Sequence, residues 1–319
     1  MTQSGALTTM KGHDFLTIAE CSEDEIQLLL STAADLKKKQ KAGIVHHELS
    51  GQTLAMIFEK SSTRTRVAFE VGMYQLGGSA LYLSSRDMQL GHGETIADTA
   101  RVLSRFVDGI MIRTFGHDKV VELAENASVP VINGLTDTHH PTQVIADLLT
   151  IQEHKGKLRG LKACFIGDGY NNMAHSLLEG AAATGMDLIV ASPNGYEPDG
   201  EILQAAAARG EKNGCTVGFT TSPQEAIADC DIVITDTWLS MGKEEEAKKR
   251  LVDFEGYQVN EALVQWAKPD YLFMHCLPAH RGEEVAPEII DGEHSIVFDE
   301  AENRLHAHKA ILNCLLTKN

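Results

Sequence analysis

The 319-residue chain carries 45 acidic against 28 basic residues, a formal net charge of −17 at pH 7, with 43% hydrophobic and 23% charged residues. This balance excludes a disordered chain or a fibrous repeat. It also excludes a sequence-independent hold on nucleic acid phosphates, so any bound anion must be met by a local basic site.

The length allows two domains, each with its own core. The N-terminal "MTQSGALTTMKGHDF" has no apolar signal region, and no apolar run reaches the ~20 residues a membrane helix needs. A cytoplasmic chain with no membrane partner is expected. Six dispersed cysteines with no CxxC pair argue against a disulfide framework and a zinc knuckle. Most are expected to be buried, inert thiols.

Ser22 and Glu25 form a capping-box pattern at the head of "EDEIQLLLSTAADLKKKQK", where apolar residues recur at helical spacing and lysines precede Gly43. Short β-type runs then alternate with helical ones: "TLAMIF", a helix from about Arg66, "ALYL", the helical "TIADTARVLSRF", "GIMIR", "KVVELAENA" and "PVING". This alternation predicts parallel βαβ units. A helical "HPTQVIADLLTIQEHKG" leads to "LKACFIGDG", and the rhythm restarts through "AHSLLEGAAATG", "DLIVASP", "EILQAAAARG", "TVGFTT", "PQEAIADC", "DIVITDT" and "YLFMHC". The run "GKEEEAKKR" reads as a solvated loop or helix face. A strand-like "SIVFDE" precedes a last helix at about 300–317. The expected fold class is α/β, with two domains, 1–152 and 153–319, each a parallel sheet flanked by helices. The C-terminal helix is expected to pack back toward the first domain.

Open α/β sheets bind ligands at the carboxyl ends of their strands. After "TLAMIF" come Lys60, Ser61, Ser62, Thr63, Arg64, Thr65 and Arg66, placing three cations and four hydroxyls at a helix start. A helix N-terminus disfavours cations by about 0.3–1 kcal/mol each. Incidental surface arginines beside a Ser62 or Thr63 cap would leave that cost unexplained. A bound phosphate reverses its sign, because helix N–H groups, hydroxyls and guanidinium forks all donate to phosphate oxygens.

"GDGYNN" starts like a dinucleotide loop, but Asn172 stands where GxGxxG needs its third glycine. An amide there suits a small polar ligand better. His275, Cys276 and His280, with Glu283 and Glu284, include zinc-capable side chains; adjacent ligands rarely serve one metal, so no metal is expected. Cys276 reads as a polar contact to substrate or as a packed thiol. His140 precedes Pro141 at a helix start, with Gln143 in the first turn; it reads as structural or as a donor to a substrate oxygen. "DTWLSMG" (236–242) reads as a flexible loop with packed Trp238 and Met241, or as the place where Asp236 meets an amine.

Together, "STRTR" (62–66), "HPTQ" (140–143), "DTWLSMG" (236–242), "HCLPAHRG" (275–282) and "EAENR" (300–304) resemble the ornithine-using branch of the aspartate/ornithine carbamoyltransferase family, in family order over nearly the whole chain. The resemblance implies a first domain for carbamoyl phosphate, a second for L-ornithine, no cofactor, and a homotrimer with active sites between subunits. It implies that Ser62, Thr63, Arg64 and Thr65 hold the phosphate, and that Arg113, His140, Gln143 and Arg304 meet phosphate or carbonyl oxygens. Gln89, in "SSRDMQLG", would reach in from the neighbouring subunit. Asn172, Asp236, Ser240 and Met241 would grip the amino-acid end, Met241 through its backbone, with Cys276 and Leu277 beside the reacting amine and carbamoyl group. The implied catalytic set is Arg64, Arg113, His140, Asp236, Cys276 and Arg304.

Cys276 stands in "HCLP" where the aspartate-using relatives carry "HPLP", and the loop around Gln89 lacks their lysine. The "SMG" loop argues against putrescine and acetylornithine. The implied setting is arginine metabolism, with the biosynthetic direction expected although the chemistry is the same in both. Two other classes are disfavoured. An NAD-dependent oxidoreductase lacks its glycine at 172, and a non-catalytic binding or regulatory relative would have no use for intact "STRTR" and "HCLP".

Overall fold

In the computed structural model, which describes residues 10–85, 93–239 and 246–318, the chain divides into two units. One ends at Leu149 and takes up the chain again from Glu302; the other is Thr150–Ala301. Both are parallel sheets flanked by helices.

In the first unit, helix α1 (Glu23–Lys41) has the expected capping box: Ser22 Oγ accepts from Glu25 N–H at 3.2 Å, and Ser22 N–H donates to Glu25 Oε2 at 2.8 Å. Then follow β1 (Thr53–Phe58), α2 (Thr63–Gln75), β2 (Ser79–Ser84), α3 (Ile96–Leu103), β3 (Gly109–Arg113), α4 (His117–Asn126) and β4 (Val131–Leu135). The sheet order is β2-β1-β3-β4, all parallel. Strands β3 and β4 are buried along their whole length, as parallel strands covered on both faces must be. Ala55, Ile57, Ile110, Ile112, Val120 and Val131 fill one side of the core. The chain winds outward from β1 to β2, then returns on the other side through β3 and β4. The reversal opens between β1 and β3.

Helix α2 starts at Thr63, three residues earlier than the apolar pattern predicts, because Ser62 Oγ accepts from Thr65 N–H at 3.2 Å and caps it. Arg64 and Arg66 therefore sit in its first turn, which holds no acidic residue.

The last helix, α12 (Val297–Leu316), corrects the strand-like reading of "SIVFDE". Only Ser295 forms an isolated bridge, to Phe273, with Ile296 N–H donating to Phe273 O at 3.0 Å. From Val297 the chain is helical, helped by Asp299 and Glu300 at the positive end of the helix. Beyond Glu302, His308 stacks on Phe69 of α2 with ring centroids 4.0 Å apart. Buried Lys309 donates to Gln40 Oε1 (3.1 Å), Gln75 Oε1 (2.9 Å) and His46 Nε2 (2.8 Å). Gly72 allows this approach: a Cβ there would lie 3.3 Å from Lys309 Cγ.

Helix α5 (Pro141–Lys155) leads into the second unit, with β5 (Lys162–Ile166), α6 (Asn172–Thr184), β6 (Asp187–Ala191), α7 (Gly200–Asn213), β7 (Val217–Thr220), α8 (Pro223–Ile227) and β8 (Ile232–Thr235). Helices α9 (Ala247–Asp253) and α10 (Glu261–Val264), strand β9 (Leu272–His275) and helix α11 (Pro287–Ile290) complete it before α12. The order β7-β6-β5-β8-β9 places the reversal between β5 and β8. Phe254 centres an aromatic cluster with Trp238, Tyr196 and Tyr257. The charge run 242–250 is not wholly solvated: Arg250 is buried, donating to Asp168 Oδ2 (2.5 Å) and Trp238 O (2.7 Å).

Because Phe69 is fully buried against His308, Phe69→Ala should lower the unfolding free energy by about 3–5 kcal/mol in urea titrations. Arg66→Ala, which removes an exposed 3.3 Å pair with Glu70, should cost under about 1 kcal/mol.

Candidate active site

The first unit gathers its polar residues where the sheet reverses. Ser62 caps α2, Thr63 is exposed beside it, Arg64 is half-buried, and Thr65 is fully buried. The Thr65 hydroxyl oxygen accepts from Arg304 Nη2 at 2.7 Å and, more weakly, from Arg113 Nη1 at 3.5 Å. Arg113 ends β3, while Arg304 lies on α12, 239 residues from Thr65. After β4, a tight turn closes with Thr136 N–H donating to His139 O at 2.8 Å and His139 N–H to Thr136 Oγ1 at 3.1 Å. It delivers His140 to the head of α5, where Nδ1 lies 3.4 Å from Thr142 Oγ1.

Burial, then Arg304, Arg113, His308 and Arg64, hold the His140 imidazole well below its ordinary pKa. It is therefore neutral at pH 7. Three guanidiniums thus converge on one uncharged ring.

Two of the three cations read from 60–66 point elsewhere. Lys60 is paired with Asp137 and lies 4.4 Å above the Phe115 ring. Arg66 pairs with Glu70 and stands 3.8 Å over Tyr82. Arg64 remains with the cluster, joined by Arg113 and Arg304. Two further residues, absent from the sequence reading, belong here. Gln143 Nε2 donates to Asp147 Oδ1 at 2.8 Å, and His308 lies one turn beyond Arg304. Helical i,i+4 spacing from Gln143 and Arg304 is the signal that would have found both.

In the second unit Asn172, Asp236 and Cys276 stand at or just beyond the carboxyl ends of three adjacent strands, β5, β8 and β9. Asn171 caps α6 by accepting from Ala174 N–H at 2.8 Å, and Asn172 is the first helical residue. Asp236 Oδ1 accepts from Thr237 N–H (2.8 Å) and from the Cys276 thiol (3.3 Å). Burial pushes the Asp236 carboxyl above its usual range, opposed by those two hydrogen bonds. Cys276 therefore makes a polar contact and is more than a packed thiol.

His275 is fully buried, and its Nδ1 accepts from Leu277 N–H at 2.9 Å. That fixes the tautomer: Nε2 carries the proton and donates to Glu284 Oε1 at 3.2 Å. Asp236, His275 and Cys276 form one metal-capable group, and His280, Glu283 and Glu284 another. With both His275 nitrogens engaged, the first group offers only a carboxylate and a thiol, too few for zinc. Leu277 itself has φ 57°, in the left-handed region that side chains avoid. Gln89, Ser240 and Met241 lie outside the described residues.

Residues 13–153 match the model of the aspartate/ornithine carbamoyltransferase carbamoyl-P binding domain, and residues 159–315 match that of the Asp/Orn binding domain. The chain belongs to the aspartate/ornithine carbamoyltransferase family. It is 61% identical over 311 residues to the ornithine carbamoyltransferase of Anoxybacillus flavithermus, covering 98% of this chain and 99% of that one. The Bacillus subtilis ornithine carbamoyltransferase is 58% identical over 311 residues, covering 98% and 96%. Among solved structures, ornithine carbamoyltransferase from Pyrococcus furiosus superposes with a TM-score of 0.94 at 52% identity, covering 96% of this chain and 98% of that one. In this family member, the arginine cluster lies within the span matched by the carbamoyl-P model apart from Arg304, which α12 contributes.

Three buried histidines of the first unit make its stability pH-dependent. His140 and His308 titrate well below the ordinary value, and His306 is pushed down to about 4, each chiefly by burial. The folded state refuses a proton that the unfolded chain accepts near pH 6.5, so their contribution is complete above that pH and is lost as pH falls below it. Each histidine should add a slope of about 1.4 kcal/mol per pH unit in that window. Urea midpoints should drop from pH 7.5 to 5.5, and the drop should be smaller in His308→Gln.

Proposed function

We propose that the chain transfers the carbamoyl group of carbamoyl phosphate to the δ-amine of L-ornithine, giving L-citrulline and phosphate. The observation that carries this reading is the convergence of Arg64, Arg113 and Arg304 on a neutral His140 beside the N-terminus of α2. Such a cluster is stabilised by a dianion. Relatives at 52–61% identity that bear the name ornithine carbamoyltransferase support the amine.

Arg64, Arg113 and Arg304, with Ser62, Thr63 and Thr65, take the phosphate. A hydroxyl has two lone pairs and one proton. Since the Thr65 oxygen already accepts from two guanidiniums, its O–H is left to donate to a ligand oxygen. His140, uncharged, donates to the carbonyl oxygen as negative charge develops there. Preorganised donors of this kind contribute several kcal/mol (about 3–4 for a single donor). Asn172, Asp236, Ser240 and Met241 hold the amino acid; Asp236 and Cys276, joined by their hydrogen bond, orient the amine, with Leu277 alongside.

The neutral δ-amine attacks the carbamoyl carbon, a C–N bond forms, the C–O bond to phosphate breaks, and the departing phosphate takes the amine proton. Nucleophile and leaving group both arrive with the substrates, so no cofactor enters. Because the acyl phosphate is the activated species, citrulline formation is the downhill direction, which favours a biosynthetic role in arginine metabolism.

A homotrimer, with Gln89 reaching in from a neighbour, accords with apolar side chains left exposed on the first unit. Tyr74 is 79% exposed and Phe106 75%, and Leu81 and Tyr82 stand open on the edge strand β2. Six free thiols favour a reducing compartment, the cytoplasm. Among the described residues no helix is long and apolar enough to cross a membrane.

Citrulline formation should be strong with L-ornithine and weak with putrescine, N-acetylornithine or aspartate in parallel reactions. Carbamoylation of none of them by folded protein would overturn the reading. Arg64→Ala should lower kcat/KM by about 10²–10³-fold with an unchanged melting profile; wild-type rates would remove the phosphate assignment.

A further inference from the structure

The turn at 280–284 in the second unit gathers three metal-capable side chains: His280, Glu283 and Glu284 each offer a ligand atom, all within 4.8 Å of one another. Glu284 is fully buried, yet its two oxygens are unequally served. Oε1 accepts from His280 N–H at 2.6 Å and from His275 Nε2 at 3.2 Å. Oε2 is buried with no hydrogen-bond partner among the described residues, and lies 3.6 Å from His280 Nδ1. Two neutral N–H donors on one oxygen leave the charge of a buried carboxylate uncompensated, and an opposite charge is what completes such a group. Arg281, in the same turn, does not supply it: its guanidinium is forked onto Asp291 at 2.8 and 2.6 Å. Nor does His275, whose Nδ1 accepts from Leu277 N–H, so that the ring carries a single proton.

Adjacent residues of a strand point to opposite faces, but here the chain turns. Glu283 N–H donates to His280 O at 2.9 Å and Gly282 N–H to Val285 O at 2.8 Å, with Gly282 at φ 92°. Gln258 Nε2 donates to both Gly282 O and Glu283 O at 2.9 Å. The turn is thus fixed with its ligand atoms already gathered, and little ordering is left for binding to do. We propose that His280, Glu283 and Glu284 bind a first-row divalent cation of the Zn²⁺ class, with water completing its coordination. One imidazole and two carboxylates suit such an ion, whereas Mg²⁺ and Ca²⁺ take oxygen. His280 Nδ1 and Glu284 Oε2, at 3.6 Å, are spaced to share a metal about 2 Å from each. Because Oε1 of the same carboxylate holds His275, and His275 holds Leu277 N–H, the ion steadies the segment that follows Cys276.

The test titrates the EDTA-treated, dialysed chain with Co²⁺, followed by calorimetry and visible absorption. One tight ion per chain is expected, without the thiolate-to-cobalt charge-transfer band that Cys276 would give as a ligand. Cys276→Ser should keep that ion. His280→Ala and Glu283→Gln should each weaken it by more than about tenfold, the loss that removing even an outer-shell partner causes. In the unaltered chain a hundredfold excess of Co²⁺ over Kd should raise the melting temperature by about 2–5 °C, and His280→Ala should show no such rise. Binding abolished in Cys276→Ser, or unchanged in either His280→Ala or Glu283→Gln, overturns the inference. So does a folded chain that takes up no Co²⁺ at millimolar concentration, which leaves Oε2 to a protonated His280. Should His280→Ala fail to fold, Glu283→Gln decides by the same criterion.

Discussion

Positive charge concentrated at the positive end of a helix is the constraint around which the first unit is arranged. Arg64 lies in the first turn of α2, and Arg113 and Arg304 meet at Thr65 in the same turn. Like charges this close repel by several kcal/mol at an effective dielectric of ~20. The chain lowers that repulsion by keeping the imidazoles among them neutral, since His140 and His308 are both held well below their ordinary pKa by burial and by the guanidiniums. What remains is a net cationic cradle, and an anion relieves it. Arg304 reaches the cradle only because the C-terminal helix rejoins the first unit. Lys309, with its three acceptors, and the His308–Phe69 stack hold α12 on α1 and α2 in that register.

The second unit works by over-determination. His275 is held through its backbone N–H by Glu300 Oε2 at 2.9 Å and through its ring by Glu284 and Leu277 N–H. Glu284 also accepts from His280 N–H at 2.6 Å. Leu277 in the left-handed region costs about 1–2 kcal/mol, and this hydrogen-bonded frame is what can sustain it. The consequence is a fixed backbone immediately after Cys276, whose thiol is spent on Asp236.

The sheets were legible because buried parallel strands leave apolar runs separated by helical periods, and the capping box at Ser22 because its donors and acceptors are local. The head of α2 was legible through a conflict, cations at a helix start. Which cations serve the site was not. Arg66 finds Glu70 four residues on, but Lys60 finds Asp137 across 77 residues, and no local pattern predicts that. Arg304 was reached only through family resemblance. "SIVF" misled because β-branched residues carry strand propensity, which the helix following them overrode. Arg250 was hidden within a charge run whose other members gave no reason to expect a buried partner in Asp168.

Under the proposed reaction, the cationic cradle cannot by itself account for rate. Guanidiniums already hold the phosphate in the substrate, and only the part of their interaction that grows as the C–O electron pair passes to the leaving oxygen raises kcat; the uniform part lowers KM alone. The charge that changes most is on the carbonyl oxygen as the carbon becomes tetrahedral. The group assigned to face it is a neutral imidazole, not a fourth cation. A neutral donor there strengthens as charge develops on the carbonyl oxygen, so its interaction is differential, alongside the part of the guanidiniums' interaction that grows as the phosphate leaves. Burial first, and then the guanidiniums proposed to bind the leaving group, keep uncharged the imidazole proposed to face the carbonyl oxygen.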